Sequence, residues 1–290
     1  MDASRFARSR RQAPRDAAPR GLMLAVAAAT LATGAAPARA QSATGYEYTF
    51  RVSSDDGSPT TGQAWVSGPR MRVEMERRKK DGGTGGGAPQ YLIVDRDANR
   101  MLVVNPEREE YSVTDPEAFE QVVGRVMREV DRFLTMRVSG ARVRGTHVGP
   151  GEPVAGLPTE RYRLVQQYQT EIGILGRTER TDHRVVTDYW MTTAVALPDN
   201  PFFGLLASSV NALALHDLAF VRQTDDVRRA KMRGTPLRIA ITARHDGKDD
   251  RDDDTMTIEI TALRQAAVPE ARFAVPSGYR QKADGMSFSF

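Results

Sequence analysis

Gly68-Pro69-Arg70-Met71-Arg72-Val73-Glu74-Met75-Glu76 is the stretch on which the fold class turns. After the Gly-Pro break, Met71, Val73 and Met75 fall on one side, and Arg70, Arg72, Glu74 and Glu76 on the other. A period of two with one apolar side marks an antiparallel strand in a sheet with one dry face. The same period governs the chain upstream, where Tyr46, Tyr48, Phe50 and Val52 alternate with Glu47, Thr49 and Arg51. A turn at Asp55-Asp56-Gly57-Ser58-Pro59 separates that strand from another around Gly62–Val66.

Downstream, the apolar runs Tyr91–Val94 and Met101–Val104 flank Asp95-Arg96-Asp97-Ala98-Asn99, which predicts a hairpin, and a short strand follows around Tyr111–Val113. Thr114 and Glu117 have capping-box spacing, with Pro116 in a first turn that tolerates it. A helix is therefore expected over Thr114–Met136, its stripe formed by Phe119, Val122, Val123, Val126, Met127, Val130, Phe133 and Leu134. The chain from Arg137 to Trp190 reads as β again, with Glu160–Gln169 and His183–Thr193 as long strands.

Pro201–Phe220, with Asn200 as its cap, is apolar on more than one side and predicts a buried helix. Ser208, Ser209, Asn211, His216 and Asp217 interrupt it, so it lacks the run of about 20 apolar residues that spans a membrane. Strands at Leu237–Arg244 and Thr255–Leu263 enclose an acidic loop, Asp246–Asp254. The order of strands, helix, strands, helix and strands predicts an α+β fold in which the helices are segregated to one side of an antiparallel sheet, packed on its dry face.

The N-terminal stretch carries an export leader: a basic part from Arg5 to Arg20, an apolar run from Leu22 to Ala32, and Ala38-Arg39-Ala40 as a small-residue cleavage site. Cleavage after Ala40 would leave 41–290 as a single domain, and the expected location is the periplasm. Ser9-Arg10-Arg11 resembles a twin-arginine signal, but Ala13 and Pro14 stand where such signals have large apolar residues, so Sec export is the expectation. No cysteine is present to carry a lipid anchor or a disulfide.

Seven of the 41 Lys and Arg residues and two of the 37 acids lie in Met1–Ala40, leaving 34 bases against 35 acids, a formal charge of −1. The basic character of the whole chain is thus mostly the leader's, and nucleic acid is not an expected partner.

The four histidines, His147, His183, His216 and His245, make no zinc-binding pattern, and the Asp246–Asp254 run lacks EF-hand spacing, so no metal is expected. Gly83-Thr84-Gly85-Gly86-Gly87-Ala88 imitates a dinucleotide loop but lies between a charged run and a strand; a hairpin loop is expected and no cofactor. No G-x-S-x-G elbow or phosphate loop occurs, so the chain reads as a non-enzyme. Arg228, Arg229, Lys231, Arg233 and Arg238 form a basic stretch read as solvated surface.

The candidate ligand-binding residues are apolar. Tyr46, Tyr48, Phe50, Trp65, Met71 and Val73, with Tyr91, Trp190, Phe202, Phe203, Leu206 and Val210, could line a hydrophobic cavity or simply fill a core.

These segments, taken in order, resemble the LolA-like superfamily of exported lipoprotein carriers, and most closely its domain families of unknown function. The resemblance rests on Tyr46–Val52, on Gly68-Pro69-Arg70-Met71-Arg72-Val73-Glu74, and on Asp95 with Met101–Val104, Asn105-Pro106-Glu107 and Tyr111. It continues in Val154-Ala155-Gly156-Leu157-Pro158-Thr159-Glu160-Arg161-Tyr162 with Trp190, and in the closing Phe273–Tyr279. It implies an incompletely closed half-barrel whose hollow, covered by helices, shields acyl chains from water. The glycine-rich stretch Gly82–Gly87 and the acidic loop depart from that pattern. The implied function is non-catalytic binding of a lipid acyl chain or a lipoprotein. The alternative is an envelope protein-interaction or sensor module with a filled interior.

Overall fold

The Gly68-Pro69 break is a turn in which Gly68 takes φ +56°, a left-handed conformation open to glycine, and Arg70–Met75 leaves it as a strand. The computed structural model describes residues 42–55, 57–76, 90–115, 135–174, 177–201, 203, 204, 206, 217–245 and 253–282. In chain order the strands are β1 Ser42–Ser54, β2 Gly57–Ser67, β3 Arg70–Met75, β4 Tyr91–Asp95, β5 Arg100–Asn105 and β6 Glu110–Thr114. Then come β7 Thr135–Val154, β8 Leu157–Ile174 and β9 Arg177–Thr192. Helix α1, Leu218–Lys231, precedes β10 Thr235–His245 and β11 Asp254–Pro269, and a short 3-10 turn, Glu270–Phe273, leads to β12 Arg280–Gln281.

All twelve strands belong to one open sheet in the order β12-β6-β5-β4-β3-β2-β1-β11-β10-β9-β8-β7. Two meanders, β1 to β6 and β7 to β11, are thus joined where β1 pairs antiparallel with β11. The β12–β6 pair is parallel and the other neighbours are antiparallel. Register shifts at Thr49/Phe50, Pro236/Arg238, Ser139/Arg142 and His147/Gly149 mark bulges, which bend a sheet locally.

The expected α+β class is corrected. Strands dominate the described residues, and their one complete α-helix, α1, lies over the β7–β9 end and does not cover a face. The sequence signal for the first helix falls largely on residues 116–134, outside the described ones, while Thr114 ends β6 and Thr135 and Met136 begin β7. Of the second expected helix, Pro201, Phe203, Gly204 and Leu206 are helical and most of the remainder lies outside the described residues. Helix α1 itself carries Arg228, Arg229 and Lys231 of the basic stretch, whereas Arg233 lies past its end and Arg238 in β10. Asp217 caps it, its carboxylate accepting from the Ala219 and Phe220 amides, and Arg228, Arg229 and Lys231 in the last turn suit the helix dipole.

One face of the sheet, here the inner face, carries the main core. Register aligns Tyr48 with Ala64, Val73, Leu92 and Val103 across β1 to β5, and Tyr46 with Val66, Met71, Val94 and Met101. On the other side of β1, Val52 aligns with Ile258, Ile239, Tyr189 and Tyr162. The opposite, outer face is dry over β2 to β5, where Trp65, Tyr91, Ile93, Leu102 and Val104 pack with Val268 and Phe273.

Candidate functional site

Phe50 sits at the centre of the inner face and is wholly buried, opposite Gly62 on β2 and Ile260 on β11. A Cβ at Gly62 would collide with the Phe50 ring, so the missing side chain is what lets the ring lie across β2. Phe203 meets Phe50 edge-on, centroids 5.1 Å apart at 75°. Leu206 and Leu197 pack against the same cluster.

Beneath this apolar cover lies one polar node. The Asn200 side-chain amide donates to Tyr48 Oη at 3.0 Å, and the hydroxyl points to Met71 Sδ at 4.0 Å. Both residues are buried. Burial pushes the Tyr48 phenol far up, and the Asn200 bond works against that shift without cancelling it. The node fixes where the chain before Phe203 meets the floor, since a buried hydroxyl left unpaired costs about 1–3 kcal/mol.

Toward β8 and β9 the inner face turns polar. Gln166 donates to Thr224 of α1 at 3.0 Å, Thr170 Oγ1 lies 2.7 Å from His183 Nε2, and the His183 ring stacks on Tyr168 at 4.7 Å. Phe220 closes over Tyr168, and Met232, beyond the helix, packs on Leu164, Tyr162 and Met191.

The structure brings Tyr46, Tyr48, Phe50, Met71, Val73, Phe203 and Leu206 together on this face, as a shared lining requires. It separates Trp65 and Tyr91, which belong to the outer-face cluster, with Arg272 over the Trp65 ring and Arg72 over Tyr91 at 3.6 Å. Trp190 lies in outward phase, its ring between the guanidinium groups of Arg161 and Arg238, each 5.1 Å from the ring, although the half-buried side chain also packs against the main core cluster. These three swap sides for a simple reason: strand parity, not hydrophobicity, decides the face, and Trp65 and Trp190 are odd-phase neighbours of Ala64 and Tyr189. Phe202 and Val210 lie outside the described residues.

Sequence reasoning missed the β10 and β11 contribution. Leu237, Ile239, Ile241, Ile258 and Ile260 floor the same face, and their period of two was the available signal. Asn200, read as a helix cap, does precede the helical Pro201, its carbonyl accepting from the Phe203 amide, and its side chain also serves Tyr48, for which no sequence signal exists.

Among the described residues no group of three or more His, Asp or Glu side chains is placed to hold a metal ion, and no helix is long and apolar enough to cross a membrane. The acidic loop and the glycine-rich loop lie almost wholly outside them.

No family model and no curated protein matches the chain. Among solved structures it is similar to a LolA superfamily protein, NE2245 from Nitrosomonas europaea, with 10% identity and a TM-score of 0.28, over 81% of this chain and 90% of that one. A likeness at that score adds nothing to what the strands themselves show.

Proposed function

We propose that the chain is an exported, non-catalytic binding protein that holds an apolar ligand, a lipid acyl chain or a lipoprotein anchor, between the inner face and the segment bearing Phe203 and Leu206. One observation carries this reading: the inner face is apolar without a break from β5 through β1 to β10, and Phe203 lies on its central ring. An acyl chain enters by taking the place of the Phe203 and Leu206 side chains over Phe50. Each methylene buried there gains about 0.8 kcal/mol, so ten methylenes supply roughly 8 kcal/mol without any catalytic group. The Tyr48–Asn200 bond keeps the covering segment tethered while its apolar side chains move aside.

A second reading has its own support. Phe50, Met71, Ile258 and Ile260 are 0–1% exposed, so the floor is filled, which suits an envelope interaction module with a packed interior. Extraction of the protein purified from its native envelope, followed by lipid mass spectrometry, separates the two. Bound lipid, together with uptake of a fluorescent fatty acid that weakens in Phe50→Ala, is the expected result. Protein free of lipid that also takes up no fatty acid would transfer the case to the interaction module.

A further inference from the structure

The outer face changes character along the sheet. Over β2 to β5 it is apolar and covered, but over β7 to β9 it is wet and basic. Among the described residues four acids reach this part of the face, and each is engaged: Asp188 by Arg161 and Arg163, Glu171 by Arg180, Asp182 by the Gln169 amide, and Glu152 by Arg238 of β10. Four arginines, Arg137, Arg142, Arg144 and Arg184, remain exposed and make no ion pair with any described residue.

Register places three of them as a cluster. Arg142 of β7 faces Gln167 of β8, which faces Arg184 of β9, so the two guanidinium stems stand two strand spacings apart, about 9–10 Å. Arg144 lies two residues along β7 from Arg142, about 7 Å away, beside the half-buried cross-strand pair Val165 and Val186. Arg184 is also paired in register with Arg244, whose own guanidinium is held by Asp253 at 2.7 Å.

Protection of a sheet edge accounts for only part of this. β7 is an edge strand, and charge on an edge discourages pairing with another chain. That edge is already broken by bulges at Ser139/Arg142 and His147/Gly149, with Gly140 and Gly149 at positive φ. Arg184 lies on β9, hydrogen-bonded to strands on both sides, and has no edge to guard.

We infer that the outer face of β7–β9 docks on an anionic lipid surface, its unpaired arginines meeting phosphate-bearing headgroups. The shape selects the partner. The face is a ribbon of strands of 20, 18 and 16 residues; β8 and β9 have their backbone bonds filled and bulges interrupt the free edge of β7, which disfavours adding a peptide as a strand. Planar guanidinium groups match phosphate oxygens in pairs, and the small Val165–Val186 strip lets the surface approach closely. The inference stands apart from the apolar-ligand reading, which concerns the other face.

The test is flotation of the chain starting at Gln41, which retains all twelve strands, with vesicles of phosphatidylglycerol and phosphatidylcholine against vesicles of phosphatidylcholine alone. The leader is omitted because its own seven arginines would bind such vesicles. Binding to the anionic vesicles only, weakening with added salt, is expected. Arg142→Gln/Arg144→Gln/Arg184→Gln should weaken it roughly a hundredfold at unchanged thermal stability, since each surface cation contributes about fivefold. The triple lysine variant should keep most of it, and Arg229→Gln/Arg233→Gln should leave it unchanged. Equal binding to neutral vesicles, no binding at all, an unaffected triple glutamine variant, or tighter binding to a polyglutamate peptide than to vesicles would each overturn the inference.

Discussion

The β2–β5 half of the sheet and its β7–β9 end are built from the same alternating strands, yet they treat their outer faces in opposite ways. In β2–β5 the outer side chains Ile93 and Val104 are 1% and 0% exposed, because the chain's last described segment lies across them. Arg70 holds Glu270 at 2.6 Å, Arg72 reaches the Arg272 carbonyl at 3.2 Å, and Phe273 is the plug. In β7–β9 nothing among the described residues covers the outer face, and charge takes the place of apolar side chains. The comparison teaches that a strand's sequence reports how many of its faces are dry: continuous runs such as Tyr91–Val94 are dry on both, alternating ones such as Arg161–Tyr168 on one.

The strongest way to break the comparison is to strip the cover from the first half. Deleting the chain from Glu270 onward should expose Trp65, Tyr91 and Ile93 together and yield a protein that binds a hydrophobic dye and aggregates on concentration. The milder Phe273→Ala should cost about 3–5 kcal/mol, read as a drop of roughly 10 °C or more in Tm. A stable, dye-silent deletion would show that the two halves do not differ as described. At the shared centre, Gly62→Ala should cost about 1–3 kcal/mol in denaturant titration, because the added methyl collides with the Phe50 ring.

Much of the fold was legible in the sequence for the reason just given. The periods of two from Tyr46 to Met75 and the runs at Tyr91 and Met101 carry their own register signal, and each became a strand. The face of an aromatic was not legible where a bulge or a tail intervened: Trp65 and Tyr91 needed the C-terminal segment to make burial on the outer side favourable, and that contact joins residues 200 positions apart, as Arg70 and Glu270 show. Helix α1 was hidden because its polar face dominates its composition, and only Phe220 and Val227 mark the side that meets the sheet. The unpaired arginines were invisible as a cluster, since Arg142 and Arg184 meet only through strand pairing.

A smaller effect sharpens the charged end. Burial alone would raise the Asp188 carboxyl, but its bonds to Arg163 and Arg161 outweigh that and hold it below the usual range. Its contribution is therefore present above the unfolded value near pH 3.9 and is lost as pH falls through the lowered folded value. Asp188→Asn should flatten acid unfolding in that window and cost about 1–3 kcal/mol at neutral pH. In alkali the signs reverse. Burial raises Tyr168 and Tyr189 to about 12, so their contribution is complete below about pH 10 and is lost between there and about 12. Tyr168→Phe should move the onset of alkaline unfolding upward, followed by circular dichroism. Least of all, Arg142→Gln should change stability by less than about 0.5 kcal/mol, as befits an exposed side chain with no ion pair to any described residue.

The pairing of the first long strand with the last one sets a clock on synthesis. The start of β11 at Asp254 follows the end of β1 at Ser54 by 200 positions, a length that a ribosome adds in roughly 10–40 s. During that interval one of the eleven strand pairings of the sheet, β1–β11, has nothing to close on. Hairpins within each meander can form as the chain emerges, but the two halves cannot be joined into one sheet until translation is nearly over.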